Sequence, residues 1–81
     1  MKTEVTSGRE LILRVNLNTV CSLSLAVFPP QFHGYISVSL MMGEWLVRAR
    51  NNCVISLTME LCTLVYLWEG WKCLVDATGF A

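Results

Sequence analysis

Charge is what this sequence has least of. Its 81 residues include six Lys or Arg and six Asp or Glu, 15% charged in all and a formal net charge of zero, against about 25% in an average globular protein. The bases are scattered and form no cluster, so the electrostatic footprint that nucleic-acid binding requires is missing. There is one histidine, His33, and two prolines, adjacent at Pro29 and Pro30. The cysteines stand at 21, 53, 62 and 73, and no two have the short spacing that lets a turn present paired thiolates to zinc. No carboxylate pair, phosphate-cradling glycine loop or Ser/His/Asp set is present. The expectation is a non-enzymatic protein with no cofactor and no metal.

The stretch from Val15 to Gly43 contains no charged residue, and mean hydropathy is +0.53. A small membrane-associated protein with one or two hydrophobic segments is therefore the alternative reading. Pro29, Pro30, Gln31, His33 and Gly34 split the stretch, and neither side reaches the ~20 residues a spanning helix needs. Lys2, Arg9 and Arg14 before Leu17–Phe28 imitate a secretory signal, but Glu4 and Glu10 sit where only positive charge belongs, and Asn16, Asn18, Ser22 and Ser24 dilute the apolar part. Without an export signal, the four cysteines read as reduced, mostly buried thiols packing as small apolar residues.

What the chain has in abundance is alternation. Between Cys53 and Trp68 every odd position except Thr63 is apolar, the period-2 signature of a strand with one buried face. Val54, Leu57, Leu61, Leu64 and Trp68 also fit helical spacing, yet the β-branched and aromatic content favours strand. Odd positions alternate again from Leu11 to Val27, with a break at Asn16–Thr19. Tyr35–Met42 places Ile36, Val38, Leu40 and Met42 on one face, and Trp45, Val47 and Ala49 continue it. Gly43-Glu44 reads as a two-residue hairpin turn. Arg50-Asn51-Asn52 reads as a three-residue loop pairing Val47 with Ile55 and Trp45 with Leu57, with Asn52 in the left-handed region. Trp68-Glu69-Gly70 likewise pairs Leu67 with Trp71 and Val65 with Cys73. The expected fold is all-β: an antiparallel meander of about five to six strands closing as a small sandwich or barrel-like module. Residues 1–8 form a polar leader, 9–78 one β-domain and 79–81 a tail, with Phe28–Gly34 as the central loop.

Val54-Ile55-Ser56-Leu57-Thr58 followed by Thr63-Leu64-Val65-Tyr66-Leu67-Trp68-Glu69-Gly70-Trp71-Lys72-Cys73-Leu74 resembles the small β-domains of bacteriophage virion proteins: tail fibres, tail spikes, and head-fibre or capsid-decoration proteins. These often carry an "ITL…VTLVYDG-x-W-x-L" hairpin after a "G-x-W-x-V" strand, which Gly43-Glu44-Trp45-Leu46-Val47 follows loosely. The resemblance spans about residues 8 to 78. It implies a structural or attachment subunit that assembles in the host cytoplasm into the virion, binds other virion proteins and forms a homo-oligomer, a trimer being favoured.

A domain this small hides only about 60% of its unfolded-chain surface, so so apolar a chain is expected to cover the remainder by self-association. Both faces of the last hairpin are apolar, which points to a subunit interface formed by Trp45, Leu64, Tyr66, Trp68, Trp71 and Leu74, with the tryptophans as anchors. Phe32, His33 and Tyr35 are candidates for a contact loop.

Overall fold

The computed structural model describes residues 2–5, 9–28 and 34–78. They form eight strands and no helix: β1 (Lys2–Val5), β2 (Glu10–Asn16), β3 (Val20–Val27), β4 (Tyr35–Met41), β5 (Glu44–Arg50), β6 (Cys53–Met59), β7 (Thr63–Trp68) and β8 (Cys73–Thr78). All pairings are antiparallel, in two four-stranded sheets. Sheet A has the order β1-β2-β5-β4 and sheet B the order β3-β6-β7-β8. The all-β sandwich class expected from the alternation is what the chain adopts.

Two features differ from a meander of five to six strands. Lys2–Val5, within the expected leader, pairs along β2 from Lys2↔Arg14 to Val5↔Leu11. The chain also crosses between the sheets after β2, β3 and β5. The order β1-β2-β5-β4 over β3-β6-β7 is that of a constant-type immunoglobulin sandwich, here with β8 added beside β7 and with no disulfide among the cysteines. A strand order of this kind carries no function by itself.

The core lies between the sheets. Sheet A contributes Leu11, Leu13 and Val15 from β2 and Val47 and Ala49 from β5; sheet B contributes Cys53, Ile55, Leu57, Tyr66 and Trp68, and Val20 closes one end. Odd residues of β2, β5 and β6 face inward, as their alternation predicts. On β7 the even residues do. The Thr58↔Thr63 register pairs odd with even positions, and the turn is closed by Met59 N–H donating to the Cys62 carbonyl at 2.7 Å. The exception at Thr63 in the sequence pattern marks this phase change.

Three turns are corrected. The β4–β5 turn is Met42-Gly43, not Gly43-Glu44; φ is 50° at Met42 and 77° at Gly43, the type I′ geometry that matches strand twist. Asn51-Asn52 is not a hairpin turn. Both residues have positive φ, 54° and 47°, as expected for Asn52, but they carry the chain from sheet A to sheet B, so Val47 and Ile55 belong to opposing layers and do not pair. The β7–β8 connection is longer than three residues: Leu67 pairs with Leu74 and Trp68 with Cys73.

Asn51 also sets the space at this corner. A Cβ on Gly34 would lie 2.1 Å from the Asn51 carbonyl oxygen, so only glycine permits the approach into β4.

Candidate functional site

Strand parity and register place every outward side chain. On sheet A, Glu10, Arg50 and Tyr35 form one cross-strand row, followed by Glu4-Ile12-Arg48-Ser37 and Lys2-Arg14-Leu46-Ser39. Charges of both signs share this face, with Glu10 opposite Arg50 and Lys2 opposite Arg14. The Tyr35 hydroxyl donates to Glu10 Oε2, and the Arg50 guanidinium lies 5.7 Å from the centroid of the Tyr35 ring, within cation–π range. The hydrogen bond to Glu10 is the main reason the Tyr35 phenol is held above its ordinary value.

On sheet B the corresponding rows are Ala26-Val54-Leu67-Leu74 and Ser24-Ser56-Val65-Asp76. Asp76 is the only charge at an outward strand position of this sheet. Val54, Val65 and Leu67 are half-buried by their neighbours, and Leu74 is 52% exposed. Phe28, whose N–H donates to the Asn52 carbonyl at 2.8 Å, lies beyond Ala26 and is 60% exposed.

A second apolar region opens between β3 and β4, the sheet edges on one side of the sandwich. Leu17, Leu23, Leu25, Val38 and Trp45 line a groove of 390 Å³ there. Nothing among the described residues closes it.

These placements divide the expected interface set. Trp68 is fully buried and Tyr66 nearly so, and both belong to the core, because the phase change at the β6–β7 turn directs the even residues of β7 inward. Leu64 points the same way and packs against the core, as does partly buried Trp45, which also reaches the β3/β4 groove. Leu74 is on the outer face of sheet B, and Trp71 is 71% exposed in the β7–β8 turn. The six residues therefore do not form one surface. Of the expected contact loop, Phe32 and His33 lie outside the described residues, while Tyr35 belongs to the outer face of sheet A. The outer side chains of Val54 and Val65 and the groove residues Leu17, Leu25 and Val38 were missed; the signal for Val65 was that both faces of the last hairpin are apolar.

The four cysteines are free, but only Cys53 is fully buried; Cys62 and Cys73 are intermediate and Cys21 is exposed. Cys21 occupies the register shift between Val20 and Ser22, a bulge that releases it from the alternation. The Cys53 Sγ lies 3.1 Å from the Tyr35 and Arg50 carbonyl oxygens, and burial pushes its thiol above the ordinary value. A raised pKa opposes the thiolate that nucleophilic chemistry needs. Trp68 carries the one buried, unpartnered side-chain polar atom among the described residues, its Nε1.

No helix among the described residues is long and apolar enough to cross a membrane; the described parts of the uncharged stretch are strands and the turns beside them. No family model matches the chain, nor does any curated protein or solved structure.

Proposed function

We propose that this chain is a non-enzymatic structural subunit of a bacteriophage virion, of the capsid-decoration, head-fibre or tail-fibre attachment type, and that it works by binding neighbouring proteins. The observation that carries the binding part is the outer face of sheet B. A strand face turned toward water in an antiparallel sheet is normally polar, yet Ala26, Val54, Leu67 and Leu74 run across all four strands in a single apolar row, with Val65 beside it. The virion part rests on the likeness of the last hairpin to phage β-domains. Serine and threonine flanking the row give it a polar rim, the arrangement found around a protein–protein contact.

The test is mass spectrometry of density-purified phage particles from the source of this sequence, with wild-type chain and with Leu67→Lys/Leu74→Lys. Incorporation of the wild type and its loss in the variant are expected, while Ile12→Lys/Leu46→Lys on sheet A incorporates normally. Absence of the wild-type chain from particles, or equal incorporation of the sheet B variant, overturns the reading.

A further inference from the structure

We propose that β4 is a self-complementary edge that pairs antiparallel with β4 of a second copy, about a two-fold axis through Val38. The proposal rests on the reading of the chain as an assembly subunit and names the partner and the register.

The sandwich has four edge strands, and three of them are protected against pairing. β1 is four residues long and carries Lys2 and Glu4, β8 carries Asp76, and β3 opens with the bulge at Cys21, which twists the start of that edge. Short length, charge and bulges are the usual means of blunting an edge. β4 has none of them. It is seven residues long, uncharged and free of proline, and its pairing with β5 is regular throughout.

Backbone polarity gives the edge its phase. The residues flanking a two-residue hairpin turn form a hydrogen-bonded pair, so Met41, Ser39, Ser37 and Tyr35 direct their N–H and C=O groups toward β5. The bond from Leu17 N–H to the Gly43 carbonyl, 3.2 Å, extends the complementary phase on the other side of β5, where Trp45, Val47 and Ala49 face β2. Ile36, Val38 and Leu40 consequently turn their backbone groups to the open edge, where no described strand meets them.

The side chains have the same centre. The strand reads Tyr-Ile-Ser-Val-Ser-Leu-Met, close to a palindrome about Val38. In a two-fold pair centred there, Val38 meets Val38 of the second copy, Ser37 meets Ser39, Ile36 meets Leu40 and Tyr35 meets Met41. Hydroxyl meets hydroxyl, aliphatic meets aliphatic, and no like charges are opposed, which is the self-complementarity an isologous contact demands. Pairing also covers inward-facing Val38 and Leu40, 36% and 56% exposed in the single chain. Such an edge closes as a dimer, not as the trimer that the phage resemblance favours.

Light scattering on the full chain over a range of concentrations, with far-ultraviolet circular dichroism on the same samples, reads the outcome. The wild type is expected to reach twice the 9.1 kDa chain mass. Ser37 and Ser39 lie on the exposed outer face, so charge there leaves the fold intact. Ser37→Glu/Ser39→Glu places like charges opposite one another across the axis and should give the mass of one chain with unchanged β-type dichroism. Ser37→Glu/Ser39→Lys opposes unlike charges in the proposed register and should restore the double mass. A monomeric wild type, a double mass that survives the Glu/Glu change, or failure of the Glu/Lys pair to restore it each overturns the proposal. Particle incorporation is read separately, so the assembly reading can stand or fall without this one.

Discussion

The two sheets have the same number of strands and the same alternation, yet they are built from different chemistry. The fully buried side chains of sheet A are aliphatic, Leu11, Leu13, Val15, Val47 and Ala49, and its outer face is charged, with Lys2, Glu4, Glu10, Arg14, Glu44, Arg48 and Arg50. Sheet B puts an aromatic pair and a thiol inside, as Trp68, Tyr66 and Cys53, and leaves aliphatic and hydroxyl side chains outside. Sheet A is finished toward water. Sheet B carries the largest buried side chain, Trp68, on its inner face and a row of aliphatic side chains on its outer one, so it presents apolar surface on both sides.

The largest effect should come from the inside of sheet B. Trp68→Ala removes a fully buried aromatic side chain and should cost roughly 3–5 kcal/mol of unfolding free energy, the usual range for such truncation. Val47→Ala on the facing sheet should cost about 1–2 kcal/mol by the loss of buried methyl groups. Trp68→Phe should cost much less than Trp68→Ala, because both remove the unpartnered Nε1 donor while Phe keeps most of the buried aromatic contact. Urea unfolding measures all three. Equal losses at Trp68 and Val47 would mean that the sheets contribute alike.

A smaller effect separates the sheets by pH. Cys53, Cys73 and Tyr66 point inward from sheet B, and burial is the leading cause that raises all three above their ordinary values of 9.0, 9.0 and 10.0. For a raised group the folded state holds its proton longer than the unfolded chain does. The stability this contributes is fully present below the ordinary value and is lost as pH rises through the folded value. Thermal midpoints should therefore be level from neutral pH to about 8, then fall above pH 9 as the thiols of the unfolded chain ionise. Cys53→Ala should flatten part of that fall. An unchanged alkaline limb in the variant would remove Cys53 from the cause.

Alternation reports which face of a strand is buried; it does not report which strand is the partner. For that reason the inward sets on β2, β4, β5 and β6 were legible, as were the break at Asn16–Thr19 and the left-handed Asn52. The Asn51-Asn52 corner was not, because β5 and β6 each bury one face whether they pair or oppose one another across a core. The placement of Tyr66 and Trp68 depended on a single phase. Reading Cys53–Trp68 as one strand makes the odd face the inner one throughout; the odd-to-even register at Thr58↔Thr63 reverses it beyond the turn, and a one-residue change of phase moves every side chain to the opposite face. The apolar outer face of the last hairpin was visible in composition, but its members were exchanged with those of the core.

The smallest effect distinguishes two tyrosines, the only two in the chain. Both phenols are raised, Tyr66 chiefly by burial inside sheet B and Tyr35 chiefly by its hydrogen bond to Glu10 outside sheet A. Tyr66 is tied to the Thr3 side chain on β1, a bond that works against the shift; Tyr35 is fully on the solvent side. Glu10→Gln removes the carboxylate that holds the Tyr35 proton, so a spectrophotometric phenol titration should show one tyrosine moving down toward its ordinary value while the other stays in place. Thermal stability should scarcely change, because an exposed pair of this kind contributes little. If both tyrosines moved together, the outer face of sheet A would be coupled to the inside of sheet B, and the division between the charged face of one sheet and the aromatic core side of the other would fail.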